Sequence, residues 1–367
     1  MTRSLEDLAS PYLSGLIPYS PGKPIEEVER ELGITRSVKL ASNENPLGPS
    51  PKALAAIAEA LPSIHRYPDG SGHALRHALA RHWGVPPECV ILGNGSNELL
   101  EIVGRSFLMP GDEAVYAQQA FVVYDMVAQV TGATKVAVPL QAFAHDLPAM
   151  RAAITPRTKL VFLANPNNPT GTCVDPRELE AFLAAIPPEV ITVLDEAYYE
   201  YLPPESAPDA LQFVRRDRRL LILRTFSKIY GLAGLRIGYG IAPEPLVSLL
   251  NKVREPFNTS SLAQAAALAA LDDVAHVRAS RAANEAGRAF LMERFRAMGL
   301  AAIPSVANFL LVDVGRPAGP VTDGLLRRGV IVRPVGGYGF PTHLRITVGT
   351  DEENRTCVAA LEAVLAP

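Results

Sequence analysis

The chain has 367 residues, 48% hydrophobic and 20% charged, with 35 basic and 38 acidic side chains and a net charge of −3. That balance excludes a disordered or fibrous chain, and with no basic block or stripe it gives no sign of a nucleic-acid or anionic-membrane partner. Three widely spaced cysteines, Cys89, Cys173 and Cys357, argue against a disulfide framework and predict a reducing, cytoplasmic setting.

The length exceeds one ordinary core and predicts two domains. Glu6 and Asp7 stand where a secretory leader needs an apolar core, and no window is apolar for long enough to span a bilayer. Residues 1 to about 37, with Pro18, Pro21, Gly22 and Pro24 at their centre, read as an arm with a short helix at 25–32. A short strand at Val38 runs into Ser42-Asn43-Glu44-Asn45-Pro46. Helices are predicted over 51–61 and 72–83, on either side of the turn Arg66-Tyr67-Pro68-Asp69-Gly70. Val90-Ile91-Leu92 then enters Gly93-Asn94-Gly95-Ser96-Asn97 and a helix over 99–107. Strand, small-residue loop and helix make an anion site, because free N–H groups and the positive end of the helix dipole face the loop.

Further on, strands at 113–116, 135–138, 159–164, 190–195, 219–225 and 235–242 alternate with helices at 122–131, 147–153 and 176–185. Continuous Val/Ile/Leu runs indicate strands buried on both faces, so the fold class is α/β with a mainly parallel central sheet covered by helices. Beyond about 265 the pattern changes to one long helical region at 262–298, short strands at 308–312, 330–332 and 344–348, and a closing helix from 352. The expected organisation is an arm, 1–37, packed on the small domain, a large domain, 38–265, and a smaller α+β domain, 266–367.

Chemistry-bearing residues gather at predicted strand ends, where open α/β sheets bind ligands. Lys228 follows the buried run Leu220-Leu221-Ile222-Leu223 and the hydroxyls of Thr225 and Ser227. Taken alone it reads as a surface lysine, but a lysine in a partly apolar pocket loses its charge and can form a Schiff base. Asp195 ends an apolar strand and calls for a cationic partner. Asn165-Pro166-Asn167-Asn168-Pro169-Thr170-Gly171 follows another strand, and Arg236 follows Lys228. A carboxylate, a lysine, an arginine and a phosphate-type loop together suit a phosphorylated aromatic aldehyde whose ring nitrogen must stay protonated, and pyridoxal phosphate is such a molecule. Nicotinamide and Walker fingerprints are absent. His73 and His77, with His82 nearby, have metal-compatible spacing but no glutamate partner or third ligand, so a solvated helix face is expected.

The motifs Ser42-Asn43-Glu44-Asn45-Pro46, Arg66-Tyr67-Pro68, Asn167-Asn168-Pro169-Thr170-Gly171, Asp195-Glu196-Ala197-Tyr198, Thr225-Phe226-Ser227-Lys228 and Leu344-Arg345-Ile346-Thr347-Val348-Gly349 occur in one order along nearly the whole chain. In these the sequence resembles the fold-type I aminotransferases that use pyridoxal phosphate, most closely the branch acting on histidinol phosphate. The resemblance implies that Lys228 holds the cofactor as a Schiff base and shuttles protons. Asp195 would pair with the ring nitrogen, and Tyr198 and Asn168 would address the phenolic oxygen. Phe121 would stack on the ring, with Tyr116 and Tyr124 as rivals. Gly95, Ser96, Asn97, Thr225, Ser227 and Arg236 would hold the phosphate, joined by Tyr67 from the neighbouring subunit of a homodimer. Arg345 would grip the substrate carboxylate bidentately. Asn43, Arg333 and Tyr19 are further substrate-side candidates, Arg333 for a substrate phosphate. The implied reaction transfers an amino group between glutamate and histidinol phosphate or their keto forms. An aromatic amino-acid aminotransferase is the nearest alternative, and a threonine-phosphate decarboxylase-like enzyme a more distant one.

Overall fold

The structure, a computed structural model, describes residues 5–19, 22–203, 207–216 and 219–366; Ser20 and Pro21 at the centre of the arm lie outside the described residues. Among the described residues, thirteen strands are formed. In chain order they are β1 (Val38–Lys39), β2 (Val90–Gly93), β3 (Glu113–Ala117), β4 (Thr134–Val138), β5 (Thr158–Ala164), β6 (Ile191–Asp195), β7 (Leu220–Thr225), β8 (Gly238–Ile241), β9 (Ala301–Ile303), β10 (Phe309–Asp313), β11 (Val330–Ile331), β12 (Arg333–Pro334) and β13 (His343–Thr347).

The central sheet has seven strands in the order β2-β8-β7-β6-β5-β3-β4, and β8 alone runs against its neighbours. Its apolar runs divide by the two-residue period of a strand. Along β5, Leu160 and Phe162 join one cluster with Ala114, Tyr116 and Val193, while Val161 and Leu163 join another with Val115, Leu194 and Ile222. Each cluster is closed by helices, which is why these strands carry no polar face. Because β3 and β5 are adjacent while β4 lies outside β3, the chain reverses its direction of travel across the sheet between them. The carboxyl ends of the parallel strands beside that reversal form the crevice expected of such a sheet.

The C-terminal part forms a four-stranded antiparallel sheet, β12-β13-β10-β9, around its own core of Leu291, Phe295, Leu310, Val312, Leu344 and Leu361. A separate pair, β1 with β11, runs parallel. The expected boundary at residue 38 assigns β1 to the larger unit, whereas its backbone bonds, and the packing of Leu40, are to the smaller one. The strand expected over 330–332 is split between these two sheets.

Two further expectations change. The single helical region over 262–298 is two helices, Ser261–Leu271 and Val274–Ala297, because the Asp273 carboxylate accepts the His276 N–H and caps a new start. The strand expected from 235 begins at Gly238, since Ala233–Leu235 form a turn and Arg236 takes a left-handed conformation, φ 54°. The arm is divided as well. Its Pro11–Leu13 turn lies on the Val123–Val130 helix of the large unit, where the Gln129 amide donates to the Tyr12 and Ser14 carbonyls at 3.3 and 3.0 Å. The Ile25–Leu32 helix instead buries Val28 against Ala41 and Ile331 beside the small unit.

Candidate active site

A crevice of about 430 Å³ lies at the carboxyl edge of the central sheet, where β2, β5, β6 and β7 end in Gly93, Ala164, Asp195 and Thr225. Every residue singled out for cofactor or substrate in the sequence lines it except Tyr67, Arg333 and the ring-stacking rival Tyr116: Tyr19, Asn43, Gly95, Ser96, Asn97, Phe121, Tyr124, Asn168, Asp195, Tyr198, Thr225, Ser227, Lys228, Arg236 and Arg345.

Two adjacent acids at the end of β6 meet different fates. Glu196 is fully buried against Arg224, 2.6 Å away, and the Arg224 guanidinium lies between the rings of Trp83 and Tyr199 at 3.8 and 3.6 Å. Asp195, 6% exposed, has no such cation. One oxygen accepts the Ala197 N–H at 3.1 Å and the other the Tyr124 hydroxyl at 2.8 Å. Burial raises its proton affinity above the ordinary carboxylate range, against the pull of Tyr124, Ala197 and Lys228. A buried acid held by two neutral donors and facing a crevice is a seat for a cationic group from outside the chain.

Lys228, half-buried, donates to the Ser42 carbonyl at 3.1 Å. Burial first, and then the nearby Arg345, lower its pKa from the ordinary 10.5 to about 8. The amine is therefore available in its neutral, nucleophilic form close to neutral pH.

At the opposite end the Gly95–Phe107 helix begins directly at the crevice. Gly95 has φ +72°, and a Cβ there would stand 2.6 Å from the Arg236 guanidinium. A Cβ at Gly238 would meet the Ser96 amide nitrogen at 2.4 Å, so this glycine lets the loop sit against β8. Arg236 donates to Ser227 Oγ at 3.5 Å and to the Ala233 carbonyl at 3.2 Å, while the Ser227 N–H is taken by Thr225 Oγ1 at 3.0 Å. Helix-start amides, hydroxyls and a guanidinium thus converge at one end of the crevice, the donor set that a phosphate dianion would need.

Arg345, buried on β13, is clamped by the Asn168 side-chain oxygen at 2.6 Å and the Ala41 carbonyl at 2.7 Å, while its Nε has no hydrogen-bond partner among the described residues. Because Arg345 can only donate, the Asn168 oxygen must face it, which leaves the Asn168 amide N–H groups for the crevice. Tyr198 has its ring edge against Phe309 and its hydroxyl accepting the Asn43 side-chain amide at 2.8 Å. Burial pushes its phenol up to about 12.

The aromatic rivals separate cleanly. Phe121 and Tyr124 both line the crevice, but Tyr124 spends its hydroxyl on Asp195, and Tyr116, outside the lining, donates to Asp125 at 2.7 Å. Tyr67 is 83% exposed, stacked on Phe257 with ring centroids 4.8 Å apart. Arg333 lies outside the lining, its guanidinium 5.1 Å from the centre of the Tyr19 ring, which does line it. His73 and His77 stack on each other at 3.9 Å, and His82 sits against Trp83. Cys173 is outside the lining and burial lifts its thiol to about 11.

The profile of the "Aminotransferase class I and II" family matches residues 35–361. The chain belongs to that family. Similar proteins include histidinol-phosphate aminotransferase 1 of Nitrosococcus oceani, 54% identical over 98% of this chain and 97% of the relative. Histidinol-phosphate aminotransferase 2 of Pseudomonas fluorescens is also 54% identical, over 98% of both. Among solved structures, the histidinol-phosphate aminotransferase of Sinorhizobium meliloti in complex with pyridoxal-5'-phosphate superposes with a TM-score of 0.90 at 31% identity, covering 97% of each chain. A mutant aspartate aminotransferase of Thermus thermophilus reaches 0.84 at 26% identity, over 97% of this chain and 99% of that one. In this aminotransferase the reading of single residues passed over Ser42, whose carbonyl holds Lys228, and Thr347, which supports Asn43. The signal for Thr347 was present: it stands two residues after Arg345 on one strand and so shares its face.

Proposed function

We propose that this aminotransferase uses pyridoxal phosphate to move an amino group between glutamate and histidinol phosphate, with 2-oxoglutarate and imidazole-acetol phosphate as the keto partners. The observation that carries the substrate is the 54% identity, over nearly full length, to the Nitrosococcus and Pseudomonas histidinol-phosphate aminotransferases.

The residues present fit the cofactor. Asp195, buried and without a cation, suits a protonated ring nitrogen; Phe121 suits a ring face; the glycine-built loop with Ser227 and Arg236 suits a phosphate. When bound, pyridoxal phosphate supplies a carbonyl carbon that accepts amines and a ring that takes up the electron pair left when a proton departs from the adjacent carbon. The protein supplies the rest. Asp195 keeps the ring nitrogen protonated by pairing with it. Tyr198 and Asn168 direct an O–H and an N–H at the phenolic oxygen. Lys228 would hold the aldehyde carbon through its Nζ, and its free amine would take up and return the proton at that atom. Arg345, with its two terminal nitrogens already held, orients the carboxylate of the amino-acid partner by charge. Tyr19 covers the mouth of the crevice, and Arg333 behind it is the second cation, suited to a substrate phosphate.

The functional unit is a homodimer in which Tyr67 reaches the phosphate seat of the partner subunit. The support is its position: a fully presented aromatic, backed by Phe257, that does not line the crevice of its own chain. Free, dispersed cysteines favour a cytoplasmic setting. Among the described residues, no helix is long and apolar enough to cross a membrane.

A substrate panel tests the assignment. With 2-oxoglutarate and added pyridoxal phosphate, histidinol phosphate is expected to exceed phenylalanine, tyrosine and aspartate in kcat/KM by at least about tenfold, since a hydrogen bond to a charged group is worth about 1.5–3 kcal/mol and tenfold corresponds to ~1.4 kcal/mol. Brisk turnover of phenylalanine with none of histidinol phosphate would transfer the enzyme to the aromatic class, and release of carbon dioxide would make it a decarboxylase.

A further inference from the structure

Asn43 was expected to meet the substrate. Its side chain is instead committed on both sides to the protein. Asn43 is 1% exposed and left-handed, φ 57°. Its backbone N–H donates to Thr347 Oγ1 at 3.0 Å, its carbonyl accepts from the Asn308 amide at 2.9 Å, its side-chain oxygen accepts from Thr347 Oγ1 at 3.2 Å, and its side-chain nitrogen donates to the Tyr198 hydroxyl at 2.8 Å.

The direction of this chain of bonds follows from which atoms carry protons. A backbone N–H can only donate, so Thr347 Oγ1 must accept it, and the single Thr347 proton is then free to go to the Asn43 oxygen. With that oxygen turned toward Thr347, the amide nitrogen faces Tyr198. An amide N–H also only donates, so the Tyr198 oxygen is an acceptor there and its own proton points elsewhere. The remaining direction is the crevice that Tyr198 lines. Were the Asn43 amide reversed, its oxygen would take the Tyr198 proton, and the Thr347 proton would be left facing an N–H group.

We propose that Thr347 is a positioning residue for the transamination site: its hydroxyl fixes the orientation of the Asn43 amide, which in turn obliges the Tyr198 hydroxyl to donate into the crevice. Thr347 touches neither substrate nor cofactor. It stands two residues from Arg345 on β13, so one strand of the small unit both presents the carboxylate-binding guanidinium and sets the polarity of the phenol on the large unit. The inference rests on the reading that Tyr198 addresses the phenolic oxygen of pyridoxal phosphate. A donor at that oxygen stabilises its anionic form and so lowers the basicity of the neighbouring imine nitrogen.

The test is a pH titration of the visible absorbance of the protein loaded with pyridoxal phosphate, in the wild type, Tyr198→Phe, Thr347→Val, Thr347→Ser and the double variant Thr347→Val/Tyr198→Phe. Loss of one oriented hydrogen bond is expected to raise the midpoint by roughly half to one pH unit in Thr347→Val. Thr347→Ser, which keeps the hydroxyl, is expected to titrate as the wild type. In the Tyr198→Phe background Thr347→Val is expected to add no further shift, because its path to the cofactor is already cut. An unshifted Thr347→Val beside a shifted Tyr198→Phe overturns the inference alone, as does a Thr347→Val shift that persists in the double variant. An unshifted Tyr198→Phe overturns the role given to Tyr198, and the inference with it. Should Thr347→Val fail to fold, Asn43→Gly, which suits the positive φ and deletes the amide, takes its place in the same cycle with the same expectations.

Discussion

At the scale of single residues, the decisive contrast is between neighbours that look alike in the sequence. Asp195 and Glu196 are both acids at the end of an apolar strand, yet Glu196 is neutralised by Arg224 inside the protein, and Asp195 has only neutral donors. Removing either partner of the buried Glu196–Arg224 pair leaves a buried charge without its counter-ion, a cost of about 3–5 kcal/mol. Asp195 is eased only by Tyr124, the Ala197 N–H and the nearby Lys228, so a cation paired with it, as proposed for the cofactor ring, is expected to stabilise the fold. Lys228 offers a sharper test through pH. In the role proposed for it the neutral amine is the nucleophile, and burial lowers its pKa from the ordinary 10.5 to about 8. The rate at which the cofactor-free protein captures pyridoxal phosphate is expected to climb as pH rises toward 8 and to level off above it. Stopped-flow absorbance would read this directly; a rate still climbing between pH 9 and 10.5 would mean that the lysine is unperturbed.

At the scale of elements, the proposed phosphate seat depends on the helix start at Gly95, where φ is +72°. The pattern strand, small-residue loop, helix was legible because each part has a local cause: a β run, residues free of side-chain bulk, and a 3.6-residue apolar period. Gly95→Ala is expected to weaken pyridoxal phosphate binding about tenfold or more, since a left-handed alanine costs roughly 1–2 kcal/mol and its Cβ would press on Arg236. Titration of the cofactor-free protein measures it, and an unchanged affinity would show that the loop is not the seat. The elements misread in the sequence share one feature, that their limits are set by partners far along the chain. The 262–298 helix breaks where Asp273 can cap a second start, and Val330 to Pro334 divides because β1 captures its first half while β13 captures its second.

At the scale of the whole molecule, residues from the arm, from the loop after β1, from five strand ends and from β13 meet in one crevice. Tyr67 and Arg333 stand outside its lining, and for Tyr67 the proposed homodimer supplies a test. Mixing Lys228→Ala subunits with Tyr67→Ala subunits, each impaired alone, is expected to restore activity, because a hybrid dimer holds one site with both the lysine and the partner's tyrosine. Activity approaching half that of wild-type sites per hybrid would be the signature, whereas no recovery on mixing would place Tyr67 outside the partner's site.

The parts of this aminotransferase written locally were readable along the chain: the alternation of buried strands and helices, the small-residue loop between β2 and its helix, and the strand-end placement of Asn168, Asp195, Ser227 and Lys228. Each follows from neighbours within a few residues, so periodicity and turn chemistry suffice. Folding in three dimensions settled which of two adjacent acids keeps an internal cation, that Tyr124 serves Asp195 while Phe121 faces the crevice, and that Asn43 is tied to Thr347 across 304 residues of chain. Those outcomes depend on hydrogen-bond donors and counter-charges brought together from distant segments, and a donor has no assigned acceptor until the fold places one within about 3 Å of it.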